Sequence, residues 1–442
     1  MLQANKKIDR REATAFFAGI IGLLVMLAAV PANATPTTGP TTPPANFFSI
    51  GVYRQPVSTF KTWKARGINT VIDFYAPGRW QENWTNTAVA DGLWMIRNPR
   101  ADLQDDVNQP YLLAWSFNDE PDINNVSPAS LAATYAKWKA ADPNRQIIVN
   151  LSAANAIYQL DSLTDAMYKQ YTASATIISS DVYPVTAYNR PQWIDKKAKL
   201  SAADPENAST TPFNPGQGVD KLRALSDGKT QYAYIETSYQ NNSPDPAKGA
   251  RGATAAEVRG ETWDAIIQGA RGIVYFPFTF PNNNDGTPAS VVAGITRTDA
   301  LIKQFGAVLN SDSLDDPNTL EDLPGGLEAT YRDYDGIRYF FVLNFSHTAT
   351  DAKFALPGIG TSEYLDVVGE RRIEGIRRST ITDSFSPYQL HIYETTAVPS
   401  DESIATSSEV EAGAAVPEPV NIAILGMIAA ACMRRRRRIG RG

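Results

Sequence analysis

The chain has 442 residues, 43% of them hydrophobic and 20% charged, with one Cys, two His and a formal net charge of −6. A lone Cys432 rules out a disulfide framework and a Cys-rich zinc site. With His347 and His391 both late, the first 346 residues must do without a Ser-His-Asp triad, a Cys-His pair or a His-ligated metal. Lys and Arg cluster at the two ends, so the middle is strongly acidic, which argues against nucleic acid as a partner and leaves chemistry to carboxylates, Tyr and Arg.

Residues 1–34 read as a secretory signal: Lys6, Lys7, Arg10 and Arg11, then apolar Ala15–Val30, then the small-residue site Ala32-Asn33-Ala34. The expectation is export by the Sec route and removal by signal peptidase; an uncleaved anchor is the other reading, which Pro31 disfavours. From residue 47 to 312, strand-like runs alternate with helix-like segments. The runs are 47–54, 68–75, 93–99, 111–118, 146–153, 176–185, 231–240 and 272–280. Ser127 before Pro128 predicts a capped helix start. The segment TAAEVRGETWDAIIQGARG predicts a helix ending on Gly272 at a C-cap position. Eight such repeats predict an α/β fold, a (β/α)8 TIM barrel of about the usual ~250 residues. An open doubly wound sheet would also alternate, but "YRQPVS" follows the first run where a Gly-rich phosphate loop would stand.

Residues 319–396 switch to short alternating runs around a turn at Asp335-Gly336 and predict a small antiparallel β-sandwich. The Ser/Ala/Glu-rich 397–415 reads as a linker. The tail, 416–438, holds Val416-Pro417-Glu418-Pro419, the apolar run Val420–Met433 and five arginines. These three parts in order resemble the PEP-CTERM sorting signal. The resemblance implies recognition by an exosortase, transient anchoring of this segment in the inner membrane, and delivery to the envelope or exterior of a Gram-negative bacterium.

In a TIM barrel the active site lies at the C-terminal ends of the strands. Glu120 follows the fourth run and Glu236 ends the seventh. Counting by two puts Leu112, Ala114, Ser116, Asn118 and Glu120 on one face, and Tyr232, Tyr234 and Glu236 on another. Cleaving a glycosidic bond with retention needs two carboxyls about 5–5.5 Å apart, one protonated and one ionised. Glu120 could instead answer a helix dipole, and Glu236 could form a rim salt bridge. Tyr183, in "SSDVYP", is placed to hold Glu236 by a hydrogen bond or simply to pack. Asp73 and Asp181 end the second and sixth runs and would bind sugar hydroxyls or fix loops. Asp119 and Asp122 suit loop capping. Aromatic rings stack on sugar faces; Trp80, Trp84, Tyr239, Phe276 and Phe278 fall in rim positions, while Trp63, Trp138 and Trp263 fall inside helices and read as core. Arg54 and Arg97 could meet acidic or sulfated sugars, or be solvated or paired. His347 and His391 read as structural.

Glutamates at the ends of the fourth and seventh strands are similar to the pair of the clan A glycoside hydrolases, a superfamily of retaining glycosidases. The resemblance covers residues 47–312. It implies that Glu120 is the acid/base and Glu236 the nucleophile, with no metal and no cofactor. Two departures stand out. The usual Asn-Glu-Pro reads Asp119-Glu120-Pro121 here, with Asn118 one place earlier, so the residue that meets the sugar 2-hydroxyl is open between them. Phe also stands at the end of the eighth strand where the clan has Trp. The expectation is an exported retaining glycosidase acting on a polysaccharide. The alternative is a barrel that binds carbohydrate or serves adhesion or envelope structure without catalysis.

Overall fold

The computed structural model describes residues 39–74, 79–152, 163–186, 214–238, 251–279, 284–311, 319–320, 323–357, 359, 364–376 and 380–396. The chain divides into two compact units, Met1–Ala397 and Val398–Gly442, and every described residue belongs to the first. The signal, the linker and the sorting tail fall outside the described residues. Within them, no helix is long and apolar enough to cross a membrane.

Eight parallel strands close into a barrel in chain order: β1 Ser49–Tyr53, β2 Thr70–Asp73, β3 Trp94–Arg97, β4 Leu112–Ser116, β5 Gln146–Leu151, β6 Ile177–Asp181, β7 Thr230–Glu236 and β8 Ala270–Phe276. The ring closes through β8 on β1, with Ser49 opposite Gly272 and Val52 opposite Tyr275. All eight strands fall on the runs expected from the sequence. Helices on the outside are α1 Phe60–Arg66, α2 Arg79–Ala90, α3 Pro128–Ala141, α4 Asp165–Ala173, α5 Pro215–Leu225, α6 Ala255–Ile267, α7 Ala289–Gln304 and the short α8 Gly306–Leu309. Ser127 caps α3 by accepting the Ser130 N–H, with Pro128 in the first turn.

Strand alternation sorts the side chains into two layers. Tyr53, Ile72, Ile96, Ala114, Ile148, Ile177, Tyr232, Tyr234 and Val274 fill the barrel interior. Their sequence neighbours, among them Val52, Val71, Met95, Ile147, Ile178, Ala233, Ile235 and Tyr275, face out and pack on Trp63, Trp84, Tyr168, Leu222 and Trp263 of the helices. One strand breaks the count. Between β3 and β4 the pairing jumps from Met95–Leu112 to Ile96–Ala114. Leu113 is the extra residue of a bulge, so Leu112 joins the outer layer while Ala114 stays inside. Leu112 therefore does not share the face expected of it.

The α6 end is a second correction. The helix stops at Ile267, and Gly269 makes the turn at φ 106°. Gly272 lies in β8 instead, where a Cβ would fall 2.6 Å from the Tyr232 ring. Only glycine lets that ring fill the barrel floor.

Beyond the barrel, a six-stranded antiparallel sheet takes the order β11–β12–β13–β18–β15–β16, and β14 pairs with β17. Its ranges are β11 Thr319–Leu320, β12 Leu327–Tyr334, β13 Ile337–Asn344, β14 Thr350–Ala355, β15 Tyr364–Val367, β16 Arg372–Gly375, β17 Thr380–Phe385 and β18 Leu390–Thr396. A short hairpin of two-residue strands, β9 Phe278–Thr279 and β10 Asn284–Asp285, precedes them. Asp335 and Gly336 both take positive φ, 52° and 78°, as a two-residue hairpin turn requires. Phe340, Val342 and Tyr393 pack on Phe354, Ile381 and Phe385 of the smaller pair. The sheet leans on the barrel through α6, whose Trp263 stacks on Phe341 at 5.7 Å.

Candidate active site

The loop after β4, Phe117-Asn118-Asp119-Glu120-Pro121-Asp122, carries three carboxylates with three different surroundings. Asp119 is held by two donors: the Tyr53 hydroxyl at 3.0 Å and the Asn150 side-chain amide at 2.8 Å. Asn150 is itself fixed by the Ser179 hydroxyl at 2.9 Å. Asp122 accepts the Ser152 N–H and the Tyr168 hydroxyl, the latter at 2.7 Å, and so ties the loop to the end of β5 and to α4. Between these anchors Glu120 takes φ 43°. A non-glycine residue held there costs about 1–3 kcal/mol, which the surrounding contacts must offset. Its carbonyl accepts the N–H groups of Ile123 and Asn124, and the Asn124 amide bonds the Asp119 carbonyl.

Held this way, the half-buried Glu120 carboxyl meets that of Asp181 at the end of β6. Two carboxyls in contact share one proton, because both cannot ionise side by side. Burial, together with the charges of Glu120 and Asp119, pushes Asp181 well above the ordinary carboxylate range. Burial pushes Asp119 up as well, against its hydrogen bonds from Asn150 and Tyr53. The pair therefore keeps its proton to higher pH than an isolated carboxyl would.

Rings surround the carboxyls. Phe276 lies flat on Tyr53 at 5.6 Å, Phe278 meets Tyr53 edge-on at 5.9 Å, and Tyr183 packs on Phe276 at 5.5 Å. Tyr234 meets Tyr53 edge-on at 5.6 Å, and its hydroxyl, on a residue 2% exposed, has no hydrogen-bond partner among the described residues. The buried Ser116 hydroxyl on the same inner wall has none either.

Glu236 has different company. It is fully enclosed, and its carboxylate accepts the backbone N–H groups of Val185 at 2.6 Å and Thr186 at 2.7 Å. Burial, aided by the charge of Glu257, pushes it up to about 7 despite those hydrogen bonds. Glu261 of α6 lies against it and is pushed up further by burial and by Glu236 itself. Glu257 in turn is clasped by Arg251. The strongest influences on Glu236 thus come from the 185–186 backbone and α6, whereas Glu120 has Asp181.

Several sequence expectations change in this light. Tyr183 does not hold Glu236: the backbone two and three residues later does, and Tyr183 stands among Asp181, Asp119 and Glu120. Arg97 does not reach a substrate. It alternates with inward Ile96, is fully buried on the outer side of β3, and makes a double hydrogen bond to Asp106 at 2.7 and 2.9 Å. Arg100 and the Trp115 indole share that carboxylate. Trp84 is a core residue of α2, fully buried edge-on against Phe60 at 5.5 Å. Asp73 is almost fully buried at the end of β2 and acts on Tyr234 through its charge. Arg54, exposed at φ 49°, acts likewise on Asp119. Asn118 is exposed and accepts from the Asn98 amide at 3.3 Å. The Trp80 side chain and Tyr239 lie outside the described residues. His391 is buried in the β-sheet domain against Asp383, and His347 is exposed. Among the described residues no cluster of His, Cys, Asp and Glu could hold a metal ion. The sequence reading placed Tyr234 on the Glu236 face but missed Asn150 and Tyr53 as site residues. Period-two counting from the strand ends would have placed both inside the barrel.

No protein-family model matches the sequence, and no curated protein matches it. Solved structures share the barrel architecture at low identity. A family 39 glycoside hydrolase from the gut symbiont Bacteroides cellulosilyticus WH2 is 12% identical, with 80% of this chain and 82% of that chain covered and a TM-score of 0.46. An α-amylase from Lactobacillus plantarum is 11% identical, covering 79% and 99%, with a TM-score of 0.47. An α-amylase from Geobacillus thermoleovorans, complexed with acarbose, is 7% identical, covering 80% and 100%, with a TM-score of 0.41. At these identities and TM-scores the likeness assigns this chain neither a family nor a role.

Proposed function

We propose that the protein is an exported glycosidase acting on a polysaccharide, with Glu120 and Asp181 as its acid/base pair. The observation that supports this is the proton-sharing contact of the two carboxyls, half-buried among Tyr53, Tyr183, Tyr234 and Phe276. A glycosidic oxygen becomes a leaving group once it is protonated, and a carboxyl kept protonated at neutral pH is the donor it needs. The Glu120 carboxylate, relieved of its proton, then accepts one from the attacking water or sugar. The partly exposed Tyr183 and Phe276 rings offer faces to a pyranose. The signal-like N-terminus and the PEP-CTERM-like tail support a substrate outside the cytoplasm, with signal peptidase and an exosortase as processing partners.

Glu236 is assigned a different task from the one the clan resemblance implies. In accepting the Val185 and Thr186 N–H groups it anchors the segment that carries Asp181 and Tyr183. Acting as nucleophile would require a path from its enclosed carboxylate to the sugar's anomeric carbon. The deciding experiment is turnover on a panel of polysaccharides, with the product anomer read by NMR, for the wild type, Glu120→Gln and Glu236→Gln. Loss in Glu120→Gln alone supports the assignment. Loss in both, with retention of configuration and rescue of Glu236→Gln by azide, returns the nucleophile to Glu236. The second reading, a carbohydrate-binding barrel without catalysis, is favoured by the same enclosure of Glu236. It stands if the wild type binds a glycan that it never cleaves.

A further inference from the structure

We infer that Asp119 is a positioning residue, the anchor through which a hydrogen-bonded belt across β6, β5 and β1 holds Glu120 against Asp181. The inference deepens the glycosidase reading and rests on it for its catalytic consequence. The belt runs from the Ser179 hydroxyl to the Asn150 carbonyl oxygen, from the Asn150 amide to one Asp119 oxygen, and from the Tyr53 hydroxyl to the other. Each link is 2.8–3.0 Å long. Both oxygens of Asp119 therefore have a fixed protein donor, unlike a residue kept ready for a sugar hydroxyl. The clan resemblance puts a sugar-binding Asn at this place, and the belt explains why an Asp stands there instead. An Asn side chain has one acceptor oxygen and could not receive both the Asn150 amide and the Tyr53 hydroxyl in the same way.

The anchor acts on the next residue in two ways. Mechanically, the pinned Asp119 and its carbonyl bond to Asn124 hold the peptide that lets Glu120 stay at φ 43°. Without the pin, a non-glycine residue relaxes to negative φ and its side chain swings away. Electrostatically, the Asp119 charge opposes ionisation of Asp181 and so helps retain the shared proton. Among the described residues the other titratable or charged groups around the pair include Tyr53, Asp122, Tyr168, Arg54, Asp73, Tyr183 and Tyr234. Unlike these, Asp119 is both adjacent to Glu120 in the chain and tied to two other strands.

The test uses the full chain with Asp119→Asn and Tyr53→Phe. Two readouts are taken: the pH dependence of kcat and KM on a cleaved glycan, and carboxyl-carbon NMR titration of the pair, identified by its loss in Asp181→Asn. Removing the charge at 119 lets the shared proton leave at lower pH. The basic limb of the kcat profile should therefore move down by about one pH unit. kcat should fall more than about tenfold while KM stays within about threefold. Tyr53→Phe keeps the ring and the charge and should lower kcat less, with little pH shift. A rise in KM with kcat and the pH limb unchanged would make Asp119 a sugar ligand and overturn the inference. If the wild type cleaves no glycan, the glycosidase reading fails by itself and the titration decides the anchor alone. A lower titration in Asp119→Asn supports it, and an unmoved one overturns it. Should Asp119→Asn not fold, Asn150→Ala replaces it: loss of kcat at unchanged KM supports the belt, and wild-type kcat breaks it.

Discussion

Two carboxyl pairs sit near the same end of the barrel and differ in almost everything but composition. Glu120 and Asp181 are half-exposed, ringed by aromatics and hold one proton between them. Glu236 and Glu261 are enclosed, and Glu236 faces two backbone N–H groups rather than a wall of rings. Raised proton affinity alone therefore does not mark the reactive pair. A buried acid can be elevated merely by its desolvation, so what separates the two pairs is access to solvent.

The comparison can be broken at four points. Glu120→Gln should cost the most, about 10²–10⁴-fold in kcat/KM with sugar binding retained, as measured by steady-state kinetics and calorimetry. Asp181→Asn should cost about 10–10²-fold and lower the basic limb of the pH profile, since the shared proton loses its seat. Glu236→Gln should leave turnover within about tenfold of wild type and act on stability instead. Glu236 is raised from an ordinary 4.5 to about 7 in the fold. A carboxyl elevated on folding favours the folded state while protonated, so stability falls as pH climbs from about 4.5 to 7. The loss amounts to about 3 kcal/mol. Urea melts across that range should show the decline in the wild type and a flatter line in the variant. Glu261→Gln should be the mildest, with wild-type turnover and a gain of about 1 kcal/mol above pH 7, read as a higher Tm. A Glu261 variant that loses activity, or a Glu120 variant that keeps it, would erase the distinction between the two pairs.

The barrel was legible because its signal is repeated. Eight apolar runs, each with inward and outward residues alternating, leave few other architectures for 47–312. The sheet hairpin at Asp335-Gly336 was legible for a local reason, the demand for positive φ at both turn residues. What escaped were features that depend on one residue more or less. The bulge at Leu113 moved Leu112 to the outer layer. Arg97 looked like a rim cation, but strand parity sends it outward to Asp106. Trp84 looked like a loop aromatic because the start of α2 carries no strong cap signal, and it proved to be core. Glu236 was read correctly as a strand-end carboxylate. Its partners are main-chain amides of 185–186, which no side-chain pattern can announce. Asp119 and Asp122 were read as loop-fixing acids, and hydrogen bonds to Asn150, Tyr53, Ser152 and Tyr168 give them that work.

One packing detail bears on how this chain can be dissected. Helix α6 has almost no face left for water: Trp263 lies flat on Phe341, and Gly260 sits so near Tyr388 that a methyl group there would fall 2.7 Å from its ring. The sheet thus roofs a greasy seam that the barrel cannot close by itself. Cutting the chain at residue 318 would uncover indole and aliphatic surface together, so a stand-alone barrel fragment should clump. The strands from 319 to 396 are best regarded as part of the barrel's hull rather than as detachable cargo.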